Sequence, residues 1–121
     1  MLAQIEPATG GPLAYLVTFL LGALFYALTA HIAARYVLGD VPYRRALLVG
    51  VVPAAVTTLL SAAPIPVIIV ASFLADLVAI RQVYRLRTRL AALVAVVHYT
   101  VTILLAFTLR GLVELLSTAP T

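Results

Sequence analysis

Four long apolar stretches, separated by short turns, occupy almost the whole chain. Each is close to the roughly 20 residues that an α-helix needs to cross about 30 Å of hydrocarbon. The pattern predicts an all-α integral membrane protein, with one four-helix transmembrane domain over residues 1–121 and a short C-terminal tail at 110–121. The four helices are expected at about residues 13–38, 43–63, 66–86 and 90–109.

Three turn signals separate these stretches. Gly39 to Pro42 ends the first, and the prolines at 64 and 66 make the second and third stretches a hairpin. A turn near Arg87 and Thr88 precedes the fourth stretch.

Composition supports a membrane protein. The chain has 64% hydrophobic and only 10% charged residues, far from the mixture of a water-soluble domain. The net charge of +4 comes from arginines at the ends of the apolar stretches, which argues against a nucleic-acid partner. The chain has no cysteine, which excludes disulfides and thiolate metal sites.

The arginines predict an orientation. Seven of the eight lie at the connections between the first and second and between the third and fourth stretches. The positive-inside rule assigns these connections to the cytoplasm, so both termini are expected on the non-cytoplasmic side of the cell membrane. The same cluster could bind anionic lipid headgroups or an acidic partner. Its members are Arg35, Arg44, Arg45, Arg81, Arg85, Arg87 and Arg89.

The chain contains an internal similarity at an offset of 45 residues. Residues 43–60 and 88–105 share 10 identities in 18 positions. This favours a duplication, with two parallel helical hairpins in tandem. The offset aligns His31 with Asp76, and Pro53 with His98.

Small residues recur every three or four positions in all four stretches, and such stripes are typical of helix contacts within lipid. In the third stretch the stripe is Ala71, Ala75 and Ala79.

Asp76 is the sharpest candidate for chemistry, because a carboxylate inside an apolar helix is costly and usually faces protein or a water-filled cavity. It could carry an ion or a proton, or it could pair with His31, Arg35 or Arg81 and fix the helix register. The second interpretation is preferred from the sequence.

The two histidines have a structural and a functional interpretation as well. His31 is expected at about the depth of Asp76 and His98 near the bilayer centre, where each could be a neutral, hydrogen-bonded side chain or part of a proton relay. No pair of these residues has ligand spacing on one helix, so neither a metal site nor a cofactor is expected.

Enzyme signatures are missing from the sequence. It lacks HExxH, GxSxG and phosphate-binding glycine motifs, and it lacks a Ser/His/Asp constellation at helical spacing. We therefore expect no catalytic residues and no enzymatic activity.

Two segments carry a resemblance to a family. GGPLAYLVTFLLGALFYALTAHIAARYVLGDVP and LVAVVHYTVTILL resemble small uncharacterised four-helix membrane proteins of halophilic archaea. The resemblance implies a haloarchaeal cell membrane and no assigned activity.

Two functions stay open at this point. The first is a non-enzymatic scaffold or accessory component that acts through a membrane-protein partner or as a homo-oligomer in the lipid bilayer. The alternative is a small proton- or ion-coupled transporter or channel that uses Asp76, His31 and His98.

Overall fold

The computed structural model describes residues 7–119 and consists of four α-helices. These are α1 (Pro7–Leu38), α2 (Tyr43–Leu59), α3 (Ile65–Val83) and α4 (Thr88–Thr118). Turns of four or five residues connect them, so consecutive helices run antiparallel. α1 packs against α2 and α4, and α3 packs against the same two helices. The helices thus follow one another around a four-membered bundle, which confirms the predicted all-helical architecture.

Three of the four helices are long and apolar enough to cross a membrane, namely Gly11–Leu38, Ile65–Val83 and Thr88–Thr118. α2 has only 17 residues. At 1.5 Å per residue it is about 26 Å long, somewhat less than the hydrocarbon thickness. A fourth membrane crossing therefore stays a prediction.

The predicted ends of the first three helices need small corrections. α1 begins before residue 13, but Gly11 interrupts it with φ +70° and ψ −161°, a conformation open only to glycine. α2 ends at Leu59 and not at 63. Its C-cap residue, Leu60, donates the last helical hydrogen bond from its N–H to Val56 O. α3 ends at Val83 and not at 86.

The end of α3 is set by a Schellman-type turn. Leu86 N–H donates to Arg81 O at 2.9 Å, and this bond needs a left-handed residue just past the helix. Arg85 takes that role with φ +55°. The basic residues beyond Val83 therefore belong to the turn and to α4.

The predicted C-terminal tail is wrong over residues 110–118, which continue α4. The only glycine there, Gly111, does not break the helix, and Arg110 Nε donates to Glu114 Oε1 one turn later at 3.2 Å. Such i,i+4 pairs support an exposed helix. α4 is thus much longer than the α3 helix on which it packs.

Alanine provides most of the buried contacts between the helices. The core holds few large side chains, among them Val49, Ile80 and Val94. α2 buries the small residues Ala46, Gly50 and Ala54. α3 instead buries Ser72, Asp76 and Ile80, where Ala71, Ala75 and Ala79 were expected. The buried face of α3 is therefore rotated by one residue toward its polar side chains.

The two halves of the chain match at the offset found in the sequence. α1 and α3 end at Leu38 and Val83, and α2 and α4 begin at Tyr43 and Thr88, each pair 45 residues apart. Buried residues of α2 and α4 correspond at the same offset: Ala46 with Ala91, Val49 with Val94, Gly50 with Ala95 and Pro53 with His98. This agreement is what a duplication would produce, although the duplication itself stays a prediction.

Gly50 is the closest approach of α2 to α1. A Cβ atom there would lie 2.5 Å from Ala27 N and 2.6 Å from Ala23 O, both backbone atoms that cannot move away alone. Gly50→Ala should therefore push the helices apart and lower the free energy of unfolding by about 3 kcal/mol. Gly22→Ala is the control, since its Cβ would meet only Ala54 Cβ at 3.8 Å. Thermal melting of the purified variants tests this, and equal melting temperatures would contradict the close crossing.

Arg85 carries a conformational cost that glycine would remove. An L-residue in the left-handed region loses about 1 kcal/mol relative to glycine. Arg85→Gly should therefore raise the melting temperature, whereas Arg87→Gly at a residue with φ −68° should not. A lower melting temperature for Arg85→Gly would show that the arginine side chain contributes more than its backbone costs.

Candidate functional site

Asp76 of α3 and His98 of α4 form a hydrogen-bonded pair in the centre of the bundle. His98 Nδ1 lies 2.6 Å from Asp76 Oδ2. Asp76 is fully buried and His98 is 1% exposed. A carboxylate and an imidazole at this distance make a short, charge-assisted contact.

The pair continues into a chain of hydroxyl groups from α1 and α4. His98 Nε2 lies 2.8 Å from Thr29 Oγ1, and Thr102 Oγ1 donates to Thr29 Oγ1 at 3.0 Å. The Thr29 hydroxyl donates to Tyr26 O at 3.1 Å. We call Asp76, His98, Thr29 and Thr102 the polar chain. It joins three of the four helices.

The polar chain lies deep in the bundle. Asp76, His98 and Thr29 are each two to three helical turns from the end at which seven arginines gather, or about 10 to 15 Å. That distance is near the middle of a hydrocarbon layer about 30 Å thick. An unpaired charge at this depth would be strongly unfavourable.

The donors and acceptors allow two proton arrangements. The Thr29 hydroxyl can give its one hydrogen to His98 Nε2 at 2.8 Å, which leaves a single proton between Nδ1 and Oδ2 and a net charge of −1 on the pair. When it donates to Tyr26 O at 3.1 Å instead, His98 Nε2 carries the hydrogen of the His98–Thr29 bond. The His98–Asp76 contact then needs a second proton, shared between Nδ1 and Oδ2. With both protons in place the pair has no net charge, whether it is imidazolium with carboxylate or imidazole with carboxylic acid.

A cavity of about 270 Å³ lies next to the pair, on the side of the chain termini. All four helices line it, and its walls are largely apolar. Its polar lining includes His98, Ser72, Tyr99 and Thr102, and Pro53 lies on the α2 side. The imidazole of His98 therefore separates the cavity from Asp76.

The bundle is closed on the other side of the pair. Between it and the arginine end lie Val49, Ile80, Tyr84 and Val94, packed with buried alanines. These side chains are almost inaccessible to solvent. The cavity thus borders the pair on the side of the chain termini, and a tightly packed, largely apolar layer separates the pair from the arginine end.

Two buried oxygen atoms beside the pair lack partners. Asp76 Oδ1 and Ser72 Oγ accept or donate no hydrogen bond within the described residues 7–119. They belong to side chains one turn apart on α3, and Ser72 borders the cavity. The site therefore retains hydrogen-bonding capacity for a ligand or a proton carrier.

The predicted site residues separate into two groups. Asp76 pairs with His98, so the expected partners His31, Arg35 and Arg81 are wrong. His31 lies in an outer groove between α1 and α2, where its Nδ1 is buried without a partner in the described chain. The misplacement has a physical cause: position 31 shares the depth of Asp76 but faces α2 and not α3.

The arginines form no contact with the site. Arg35 binds Asp40 at 3.6 Å on the surface, with both side chains well exposed. Such a pair contributes little to stability. The seven arginines gather at one end of the bundle, in agreement with the sequence analysis. Their roles in topology and lipid binding stay predictions.

Thr29 was missed by the sequence analysis, and Thr102, although close to His98 along the fourth helix, was not predicted as a site residue. Threonine is unremarkable in an apolar helix, because its hydroxyl usually bonds its own backbone. The available signal was their depth within otherwise apolar segments, combined with the helical positions of Asp76 and His98. Only the packing of α1 on α4 brings the two hydroxyls together.

The structure also assembles an Asp–His–hydroxyl arrangement that the sequence spacing seemed to exclude. Asp76, His98 and Thr29 follow one another as in a hydrolase triad. Thr29 is fully buried, however, and its hydroxyl is bound to a helix carbonyl. The arrangement is thus suited to holding a proton and not to attacking a substrate. Among the residues that the structure describes, no three His, Cys, Asp or Glu side chains cluster as metal ligands do.

Removal of either member of the pair should destabilise the fold. Asp76→Ala and His98→Ala each leave a buried polar partner, at a cost of about 3 kcal/mol. Both variants lose the same contact, so the double variant should lose clearly less than the sum. Thermal unfolding in detergent measures these effects.

His31→Ala is the matched control, and a change below about 1 kcal/mol is expected because His31 lies in the outer groove. Additive losses in the Asp76/His98 double variant would contradict a direct interaction between the two side chains.

Comparison with known proteins gives a family and no activity. No curated protein and no solved structure matches the chain. The profile of a family of unknown function, DUF7473, matches residues 9–120, nearly the entire sequence. This agrees with the resemblance to an uncharacterised family, and the haloarchaeal origin stays a prediction. The chain belongs to the family of unknown function DUF7473.

Proposed function

We propose that the protein is a small, non-enzymatic membrane transport component in which the Asp76–His98 pair takes up and releases a proton. The observation that carries this proposal is the position of the pair. A buried carboxylate and imidazole lie between a cavity on one side and a tightly packed, largely apolar layer on the other. Ionisable groups at membrane depth that border cavities are typical of proton and ion pathways.

The Thr29 hydroxyl provides a mechanism for release. When the pair releases a proton, the hydrogen on His98 Nε2 passes to the Thr29 hydroxyl, which gives its own hydrogen to Thr102 as the Thr102 hydroxyl turns toward the cavity. The shared hydrogen stays on Nδ1 and binds the Asp76 carboxylate. His98 Nε2 then becomes an acceptor, and the Thr29 hydroxyl donates to it and not to Tyr26 O. Thr102 borders the cavity and bonds Thr29, so it offers a path by which the proton leaves.

Few other titratable groups face the pair. Tyr26 comes from α1 and Tyr99 from α4, and both border the cavity. On α3 the next ionisable residue is Arg81, more than one turn away. α2 contributes Pro53 and Thr57, and its titratable residues lie in its first turn at the arginine end. The pair thus dominates the proton chemistry of the bundle interior.

The scaffold function is the second candidate, and one observation favours it. The polar chain links α1, α3 and α4, so it could serve only to fix the register of a bundle whose other contacts are mostly alanine. Such a component would act through a partner protein or a second copy. The unpartnered oxygens of Asp76 and Ser72 favour transport over this role, because a purely structural link gains nothing from them.

The membrane arrangement belongs to the same proposal. We place four crossings in the cell membrane, since α2 must return the chain between α1 and α3. The arginine end faces the cytoplasm and both termini the opposite side. The cavity then opens to the non-cytoplasmic side.

Infrared difference spectroscopy of the protein in liposomes tests proton exchange without knowledge of a substrate. A pH change should alter the Asp76 band as the pair loses or regains a proton. The change is loss of a carboxyl C=O band if Asp76 holds the proton, and a shift of the carboxylate stretch if His98 holds it. Asp76→Asn should abolish this band. Thr29→Val should slow the exchange or shift its pH range, since the valine cannot turn toward His98 Nε2.

Asp40→Asn is the control for surface carboxylates, because Asp40 is almost fully exposed and remote from the pair. If no Asp76 band changes with pH while the wild-type fold persists, the pair is a permanent structural link. The scaffold function would then replace transport.

A further inference from the structure

We propose that the cavity binds a small organic cation, such as an amine or a quaternary ammonium group, which enters as the proton leaves the Asp76–His98 pair. This inference rests on the proposed proton exchange and adds the chemical class of the substrate. It follows from the charge behind the cavity, the side chains of its walls and its size.

The charge of the pair sets the sign of the ligand. With two protons the pair is neutral, and with one it has a net charge of −1. His98 lines the cavity and is bonded to Asp76, so that charge lies one hydrogen bond from the cavity. Apolar surroundings do not screen this charge, so it must be neutralised either by the second proton on the pair or by a cation in the cavity.

The walls select an organic cation over a metal ion. An inorganic cation must replace its water shell with several oxygen ligands. The lining offers isolated hydroxyls among apolar side chains such as Ile68, Ile69 and Ile103. An alkylated ammonium group carries its own apolar surface and is suited to these walls.

Aromatic and hydroxyl groups complete the recognition. Tyr26 and Tyr99 line the cavity from two helices, and tyrosine rings attract ammonium groups. Tyr99 is held by an edge contact with Phe73, with ring centroids 5.2 Å apart. Ser72 Oγ, buried and without a partner in residues 7–119, can accept a hydrogen bond from a protonated amine.

The exchange conserves charge. One proton leaves the pair through Thr29 and Thr102, one cation enters the cavity, and the net charge of the site stays at zero. The cavity volume of about 270 Å³ limits the size of the ligand. A small tetraalkylammonium ion fits this volume, whereas a bulky tetraaryl ion is too large.

Isothermal titration calorimetry of the purified full-length protein with tetraethylammonium tests the proposal. Binding should weaken at least tenfold as the pH falls through the range where the Asp76 infrared band changes. In two buffers with different ionisation enthalpies, the heats should report about one proton released per cation bound. Tetraphenylphosphonium should bind at least tenfold more weakly.

Two variants separate the cavity from the outer surface. Ile103 and Leu104 are both largely exposed, but only Ile103 also lines the cavity. Ile103→Trp therefore places an indole at the edge of the cavity and should abolish tetraethylammonium binding, whereas Leu104→Trp should not. Asp76→Asn removes the charge of the pair and should abolish tetraethylammonium binding. Both tryptophan variants should keep the Asp76 infrared band, which shows that they fold.

The outcomes distinguish the two proposals. An intact pH-dependent Asp76 band without tetraethylammonium binding at any pH overturns the cation site and leaves proton exchange. Binding that is independent of pH and equal in Ile103→Trp and Leu104→Trp also overturns it. An Asp76 band that does not change with pH in the wild-type protein overturns proton exchange, and with it the cation site that rests on that exchange.

Discussion

The contact between Asp76 and His98 is the constraint on which the rest of the structure depends. Two ionisable side chains in an apolar interior are tolerated only if they cancel each other's charge and satisfy their hydrogen bonds. Their 2.6 Å separation requires α3 and α4 to keep one register, and the bond to Thr29 extends this requirement to α1. The alanine contacts allow close packing but are similar along each helix, so they do not define a single register. The polar chain does.

The two ends of the bundle differ because their side chains differ in size and polarity. Toward the arginine end, alanines allow close contact and Val49, Ile80 and Val94 fill the remaining space. Toward the termini, Pro53 and the polar face of α4 replace such contacts, and a cavity remains. A symmetric bundle would bury the pair equally on both sides. Because of this asymmetry, the pair borders a cavity on one side and packed side chains on the other.

The sequence predicted the number, type and approximate ends of the helices, because apolar length and turn residues act locally. It missed the continuation of α4 to Thr118. This part of the helix is exposed and is supported by a contact within the helix, between Arg110 and Glu114, and not by burial in the bundle. It identified Asp76 and His98 as costly residues but paired Asp76 wrongly. The partner depends on how α3 rotates about its own axis, and the alanine stripe at Ala71, Ala75 and Ala79 suggested a rotation that burial of Asp76 overrides. Side chains 22 residues apart on different helices cannot be matched from spacing alone.

The offset between the halves explains why one site arises and not two. Position 53 in α2 corresponds to position 98 in α4, and both residues line the same cavity. α2 and α4 lie diagonally across the bundle, so a histidine at both positions would crowd the centre and leave one imidazole without a carboxylate. Proline at position 53 removes a backbone N–H and adds no polar group to the wall. His31, the counterpart of Asp76, lies in the outer groove. The second half thus provides the charged pair, and the first half provides Thr29 and an apolar wall.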